Sequence, residues 1–127
     1  MSARYELKVA PGPQFIFYLK AANGEVILAS ESYPSRSDAL QAIESVRKSC
    51  SLLDRFERKQ SAHFQPFFIL RSANDEILGR SETYASDGAC EKGIRSVMKN
   101  GPVASIRDLT QLPSLNLLVE PTPLLSS

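Results

Sequence analysis

The sequence predicts an α+β fold: a tandem duplication of a β-β-β-α-β unit that forms one mostly antiparallel sheet with two helices on one face. Three observations predict it. The chain repeats itself at an offset of 51 residues, each copy carries short alternating apolar runs followed by a helical apolar stripe, and a hairpin signal joins the second and third runs.

The repeat is read by sliding the chain on itself. Ala22-Asn23-Gly24-Glu25 falls on Ala73-Asn74-Asp75-Glu76, and Ser30-Glu31-Ser32-Tyr33 falls on Ser81-Glu82-Thr83-Tyr84. Ile43, Ser45, Val46 and Lys48 fall on Ile94, Ser96, Val97 and Lys99; upstream, Glu6, Lys8, Phe17 and Leu19 fall on Glu57, Lys59, Phe68 and Leu70. Sixteen of the 47 pairs from Tyr5 to Ser51 are identical, so repeat 1 covers about 4–54 and repeat 2 about 55–109 of a single domain spanning 1–127. No linker separates them.

Each element follows in order. Tyr5, Leu7 and Val9 alternate with Glu6 and Lys8 as a half-buried first strand, which Ala10-Pro11-Gly12-Pro13 closes. The second strand covers 15–21. Asn23-Gly24 then predicts a two-residue type I′ turn, with both central residues at positive φ, and Asn74-Asp75 plays that part less comfortably in the second copy. Such a loop sets Leu19 opposite Leu28, Tyr18 opposite Ala29 and Phe17 opposite Ser30. One sheet face then carries Tyr5, Leu7, Phe15, Phe17, Leu19, Val26 and Leu28, with Phe56, Phe68, Leu70 and Ile77 from the second copy. Helices begin at Ser35, with Asp38 three residues on, and at Ser86, with Asp87 in the first turn. Ala39, Ile43, Val46 and Cys50 form one apolar stripe, and Cys90, Ile94, Val97 and Gly101 the other. Gly101-Pro102 stops the second helix.

Composition narrows the function. With 43% hydrophobic and 23% charged residues the chain is neither disordered nor fibrous, and a net charge of +1 gives no broad field for polyanions. No secretory signal pattern and no run of 18 apolar residues occurs, so a cytoplasmic protein without membrane association is expected. Two cysteines, Cys50 and Cys90, and one histidine, His63, give no disulfide framework and no zinc-ligand spacing. No catalytic residue, metal or cofactor is therefore expected.

The doubled run Leu19-Lys20-Ala21-Ala22-Asn23-Gly24-Glu25, Ser30-Glu31-Ser32-Tyr33 and Ile43-Glu44-Ser45-Val46-Arg47-Lys48 resembles the YegP-like family of uncharacterised bacterial proteins. The resemblance covers about 4–109. It implies two β3-α-β repeats in one continuous sheet, with the last strand of each swapped onto the other, here at about 52–55 and 103–107. It implies no activity, and the family pattern has basic residues where Ile16 and Tyr18 stand.

Two surfaces are candidates for function. Ser30, Glu31 and Tyr33, repeated as Ser81, Glu82 and Tyr84, are a duplicated polar motif that could bind a small ligand, although hydroxyls bonding backbone and a tyrosine packed before each helix account for it better. The other is the second sheet face. Ile16, Tyr18, Ile27 and Ala29 with Phe67, Ile69 and Leu78 form an apolar centre, ringed by Glu6, Lys8, Lys20, Glu31, Glu57, Lys59, Arg71, Arg80 and Glu82. That profile fits an unknown protein partner or self-association. Basic and aromatic side chains there also suit single-stranded RNA, but the four glutamates make nucleic acid a poor partner. After Asp108 an aliphatic extension, 110–127, holds Leu112, Leu115, Leu117, Leu118 and Val119, and it is expected to pack on that face of its own chain or of a second copy.

Overall fold

The computed structural model describes residues 2–110. Seven strands and two helices appear in the order β1 (Arg4–Ala10), β2 (Gln14–Lys20), β3 (Val26–Ser30), α1 (Arg36–Ser49), β4 (Phe56–Gln60), β5 (Pro66–Arg71), β6 (Ile77–Arg80), α2 (Asp87–Asn100) and β7 (Ser105–Asp108). The strands form one sheet, β4-β5-β6-β3-β2-β1-β7, antiparallel throughout except where β7 runs parallel to β1.

The two copies meet through β3 and β6, where Ala29 pairs with Arg80. These residues are 51 apart, so each is the other's repeat mate and the pseudo-two-fold passes between them. The expected register is observed: Tyr18 pairs with Ala29 and Leu19 with Leu28, and the second copy pairs Ile69 with Arg80 and Leu70 with Gly79.

Both helices lie on one face because that is where the apolar stripe points. Tyr5, Leu7, Phe17, Leu19, Leu28, Phe68 and Leu70 are fully buried against Ala39, Ile43, Val46, Cys50, Ile94 and Val97. Each such large side chain contributes about 1.5–3 kcal/mol relative to exposure. Ser35 Oγ accepts the Asp38 N–H at 3.0 Å and Ser86 Oγ the Ala89 N–H at 3.1 Å, so both helices start on the serines that mark them in the sequence.

Two details differ from expectation. The Asn23-Gly24 loop is not a two-residue type I′ turn: Gly24 N–H donates to Ala21 O and Ala21 N–H to Glu25 O, with only Gly24 (φ 87°) of the two at positive φ. This is a three-residue loop with a bulge, the form that shifts the register between Leu19 and Lys20, and Asp75 (φ 70°) repeats it in the second copy. The swapped strand at 103–107 exists as β7, but 52–55 is not a strand. Leu53–Arg55 is a 3-10 turn running straight into β4, because only six residues separate the end of α1 from β4 and none is spare for a separate strand.

Candidate functional site

The serines of the duplicated motif are occupied by backbone. Ser30 Oγ accepts the Phe17 N–H at 2.8 Å and donates to Glu31 O at 2.7 Å; Ser81 Oγ accepts the Phe68 N–H at 3.0 Å and donates to Glu82 O at 2.8 Å. They stitch the end of each third strand to its neighbour where the chain turns toward the helix. The tyrosines stack on the same phenylalanines, Tyr33 on Phe17 at 6.3 Å and Tyr84 on Phe68 at 6.2 Å.

The structure does not gather the two motifs into one site. β3 and β6 share only two residue pairs, so each copy's Glu and Tyr line a separate cleft closed by the other copy's hairpin. Glu31, Tyr33, Gln41 and Ser45 face Glu76, Ile77 and Leu78 across a cavity of about 570 Å³. Glu82, Tyr84, Lys92 and Ser96 face Glu25, Val26 and Ile27 across another of about 570 Å³. Burial first, then the nearby Glu31 and Glu76, raises the Tyr33 phenol above its ordinary value; burial, Cys90, Glu25 and Glu82 do the same for Tyr84. The copies have diverged: Glu31 pairs with Arg80 at 3.5 Å, whereas the mate of Arg80 is Ala29, and Glu82 has no ion-pair partner among the described residues.

The second sheet face carries one continuous cross-strand row, Arg107, Glu6, Tyr18, Ala29, Arg80, Ile69 and Glu57, running through the pseudo-two-fold. Lys8 and Ile16 pair beside it at one end, Lys59 and Phe67 at the other. Each end is tied by a carboxylate. Glu6 meets Arg4 Nε at 2.8 Å and Lys20 Nζ at 2.9 Å; Glu57 meets Arg71 Nε at 2.9 Å and Lys59 Nζ at 3.7 Å. Lys20 holds the Glu6 carboxyl below the usual carboxylate range against the opposing effect of its burial, with Arg4 assisting; Arg71 does the same for Glu57.

Of the seven apolar residues expected to present this face, Ile27, Ile69 and Leu78 are only 7%, 4% and 4% exposed. Ile27 and Leu78 instead join the core and line the clefts beside α2 and α1, because the bulge in each copy sets Val26 opposite Lys20 and Ile77 opposite Arg71 and shifts the face of the neighbouring residue. Ile16, Tyr18 and Phe67, with Ala29, remain half-exposed, and among the described residues no helix or strand lies over them. The Lys8 ammonium stands 5.6 Å from the Tyr18 ring centroid.

His63 is an exposed residue of the β4–β5 loop. Both cysteines are buried, and burial pushes the Cys50 thiol up to about 11, which leaves it an apolar filler. Arg107 escapes the sequence reading of the open face because its place opposite Glu6 depends on the parallel register of β7. Gln41, Ser45, Lys92 and Ser96 escape because two helices bring them to clefts formed between copies. Phe64 is 79% exposed at φ 61° at a hairpin tip, where its repeat mate Pro13 gives no warning of either property.

Comparison with known proteins agrees with this architecture. The profile of a domain of unknown function, DUF1508, matches twice, at residues 12–57 and 64–108. A UPF0339 protein of Shewanella oneidensis is 44% identical over 110 residues, 87% of this chain and all of the relative; the UPF0339 protein YegP of Escherichia coli O157:H7 is 40% identical over the same shares. The solution NMR structure of the Shewanella oneidensis UPF0339 protein superposes with a TM-score of 0.81 at 44% identity, covering 87% of this chain and 93% of that one. That of yegP from E. coli gives 0.82 at 40%, covering 87% and 96%. Two profile matches falling on the two copies, and relatives matched along their whole length, place this chain in the YegP-like UPF0339 family of bacterial proteins, whose function is unknown.

Proposed function

We propose that the protein is a non-enzymatic interaction module of the bacterial cytoplasm, engaging a protein partner through its open sheet face. One observation carries the reading. Both helices cover one face of a seven-stranded sheet, while Ile16, Tyr18, Ala29 and Phe67 stand half-exposed on the other inside a charged rim. An apolar centre within a polar rim is the anatomy of a docking surface. The test is the full chain with Tyr18→Glu and Phe67→Glu. These half-exposed positions tolerate the change, so the fold is retained by circular dichroism while partner recovered by co-purification falls at least tenfold. Undiminished recovery with an intact fold would reject the face.

A second reading has its own support. Each cleft keeps the same four polar residues, Glu31, Tyr33, Ser45 and Glu76 matching Glu82, Tyr84, Ser96 and Glu25, although folding does not require polar surface to be retained. Small-ligand binding at the clefts predicts that Tyr33→Phe with Tyr84→Phe leaves stability unchanged and abolishes ligand binding. Single-stranded RNA stands behind both, because Glu6, Glu31, Glu57 and Glu82 lie among the basic residues. Absence of labelled oligo-U binding at low salt would dismiss it.

A further inference from the structure

We propose that the partner meets the open sheet face with an amphipathic helix carrying acidic side chains, and that Arg80 holds one of its carboxylates. The inference rests on reading that face as the binding surface. Residues 111–127, expected to pack there, lie outside the described residues.

The shape of the apolar surface calls for a helix. In the cross-strand row Tyr18 stands on β2 and Ile69 on β5, three strand spacings or about 14 Å apart. Ile16 lies two residues before Tyr18, and Phe67 two before Ile69. Because three antiparallel pairings set β2 and β5 in opposite directions, these steps lead to opposite sides of the row. They add about 13 Å along the strands, so Ile16 and Phe67 end a diagonal of about 20 Å. Lys8, opposite Ile16, and Lys59, opposite Phe67, close its two ends. The ladder hydrogen bonds lie within the sheet, so a segment laid across its face must satisfy its own N–H and C=O groups. A helix does so, and about 13 residues of it match about 20 Å.

Charge sets the chemistry of that helix. Glu6 is engaged by Arg4 and Lys20 at 2.8 and 2.9 Å, and Glu57 by Arg71 at 2.9 Å. Lys8 and Lys59 approach those carboxylates only at 3.9 and 3.7 Å, and Arg107 has no ion pair among the described residues. An acidic helix meets these cations favourably, whereas a second copy of this chain would set like charge against like. Arg80 stands at the middle of the diagonal, where its repeat mate and cross-strand neighbour is Ala29. Its side chain is 51% exposed, and among the described residues its ion pair is a 3.5 Å approach to Glu31. Ala29 beside it adds only a methyl, which leaves room for a carboxylate to lie against the guanidinium fork. An arginine at the centre of an interface, with aromatic rings to either side, is where binding energy concentrates, and Tyr18 and Phe67 supply the rings.

The experiment titrates the full chain with three capped helical peptides of about 14 residues that share a leucine face and carry glutamate, glutamine or lysine on the other. Two-dimensional NMR and fluorescence anisotropy follow the binding. The proposal predicts that the glutamate peptide shifts the signals of Ile16, Tyr18 and Phe67 but not those of the helix residues Ala39 and Cys90. It should bind about fivefold or more tightly than the glutamine peptide and about tenfold or more tightly than the lysine peptide. Arg80→Gln, at an exposed position that retains the fold by circular dichroism, should weaken the glutamate peptide about threefold or more and leave the glutamine peptide unchanged. Equal binding of the glutamate and glutamine peptides at this face, or an Arg80→Gln change that affects both alike, would overturn the acidic chemistry while the docking reading stands. Shifts from none of the peptides would overturn the helix, since the docking reading itself falls only with the Tyr18→Glu, Phe67→Glu experiment. Labelled oligo-U that binds the same residues more tightly than the glutamate peptide would overturn the proposal in favour of RNA.

Discussion

A single glycine shows how an exact repeat must break at its own axis. Leu28 and Gly79 are repeat mates, and they meet diagonally across the pseudo-two-fold. A Cβ at Gly79 would lie 2.8 Å from Ala29 O and 2.9 Å from Leu28 Cγ, so one leucine fills the space that two would contest. Gly79→Ala pushes against backbone and should cost about 1–3 kcal/mol in chemical denaturation. Glu6 makes a second residue-scale prediction. Its side chain is 7% exposed and held by Lys20 and Arg4, so its folded pKa lies below the unfolded value. Its contribution is complete above the ordinary glutamate value of about 4.3 and is lost as pH falls through the depressed folded value. Glu6→Gln should therefore lower stability at neutral pH by about 1–3 kcal/mol and flatten the acid limb of Tm against pH.

The elements explain what could be read from sequence and what could not. Registers, helix starts and the strand faces away from the hairpin bulges were legible because a period of two, a period of 3.6 and a serine cap are local signals. The turns were less so. Asn-Gly is compatible with both a two-residue and a three-residue loop, and the bulge after Leu19 selects the latter. At the second tip of the repeat, Phe64 sits at φ 61°, a conformation that glycine adopts without a Cβ penalty. Phe64→Gly should leave stability level or raise it by up to about 1 kcal/mol in thermal unfolding, since relief of about 1–2 kcal/mol of left-handed strain outweighs or matches the added chain entropy. β4 supplies the clearest departure from symmetry. Its mate β1 is covered by β7, but among the described residues β4 is an edge with no strand beyond it, and Arg58 stands where β1 has Leu7, forming a two-point ion pair with Glu91 of α2. A charge held on the helix-covered face of an edge strand discourages further strand addition. Arg58→Leu should raise the weight-average mass in a light-scattering concentration series.

At the scale of the molecule, duplication accounts for both candidate surfaces. Joining two copies through β3 and β6 sets each copy's hairpin against the other copy's helix, which frames twin clefts. Strict alternation put Ile27 and Leu78 on the open face and Val26 and Ile77 on the helix side; the bulges that set Val26 opposite Lys20 and Ile77 opposite Arg71 break that alternation, and Ile27 and Leu78 join the core instead. The same geometry leaves one broad face whose apolar surface is Ile16, Tyr18, Ala29 and Phe67, and the account rests on that face meeting a protein. The most direct measurement is site-specific photo-crosslinking of the full chain in the bacterial cytoplasm, with a benzophenone amino acid in place of Tyr18 and, separately, of the exposed helix residue Lys48. A discrete protein adduct from position 18 that is absent from position 48 is the predicted result. No adduct from position 18, or the same adducts from both positions, would contradict it.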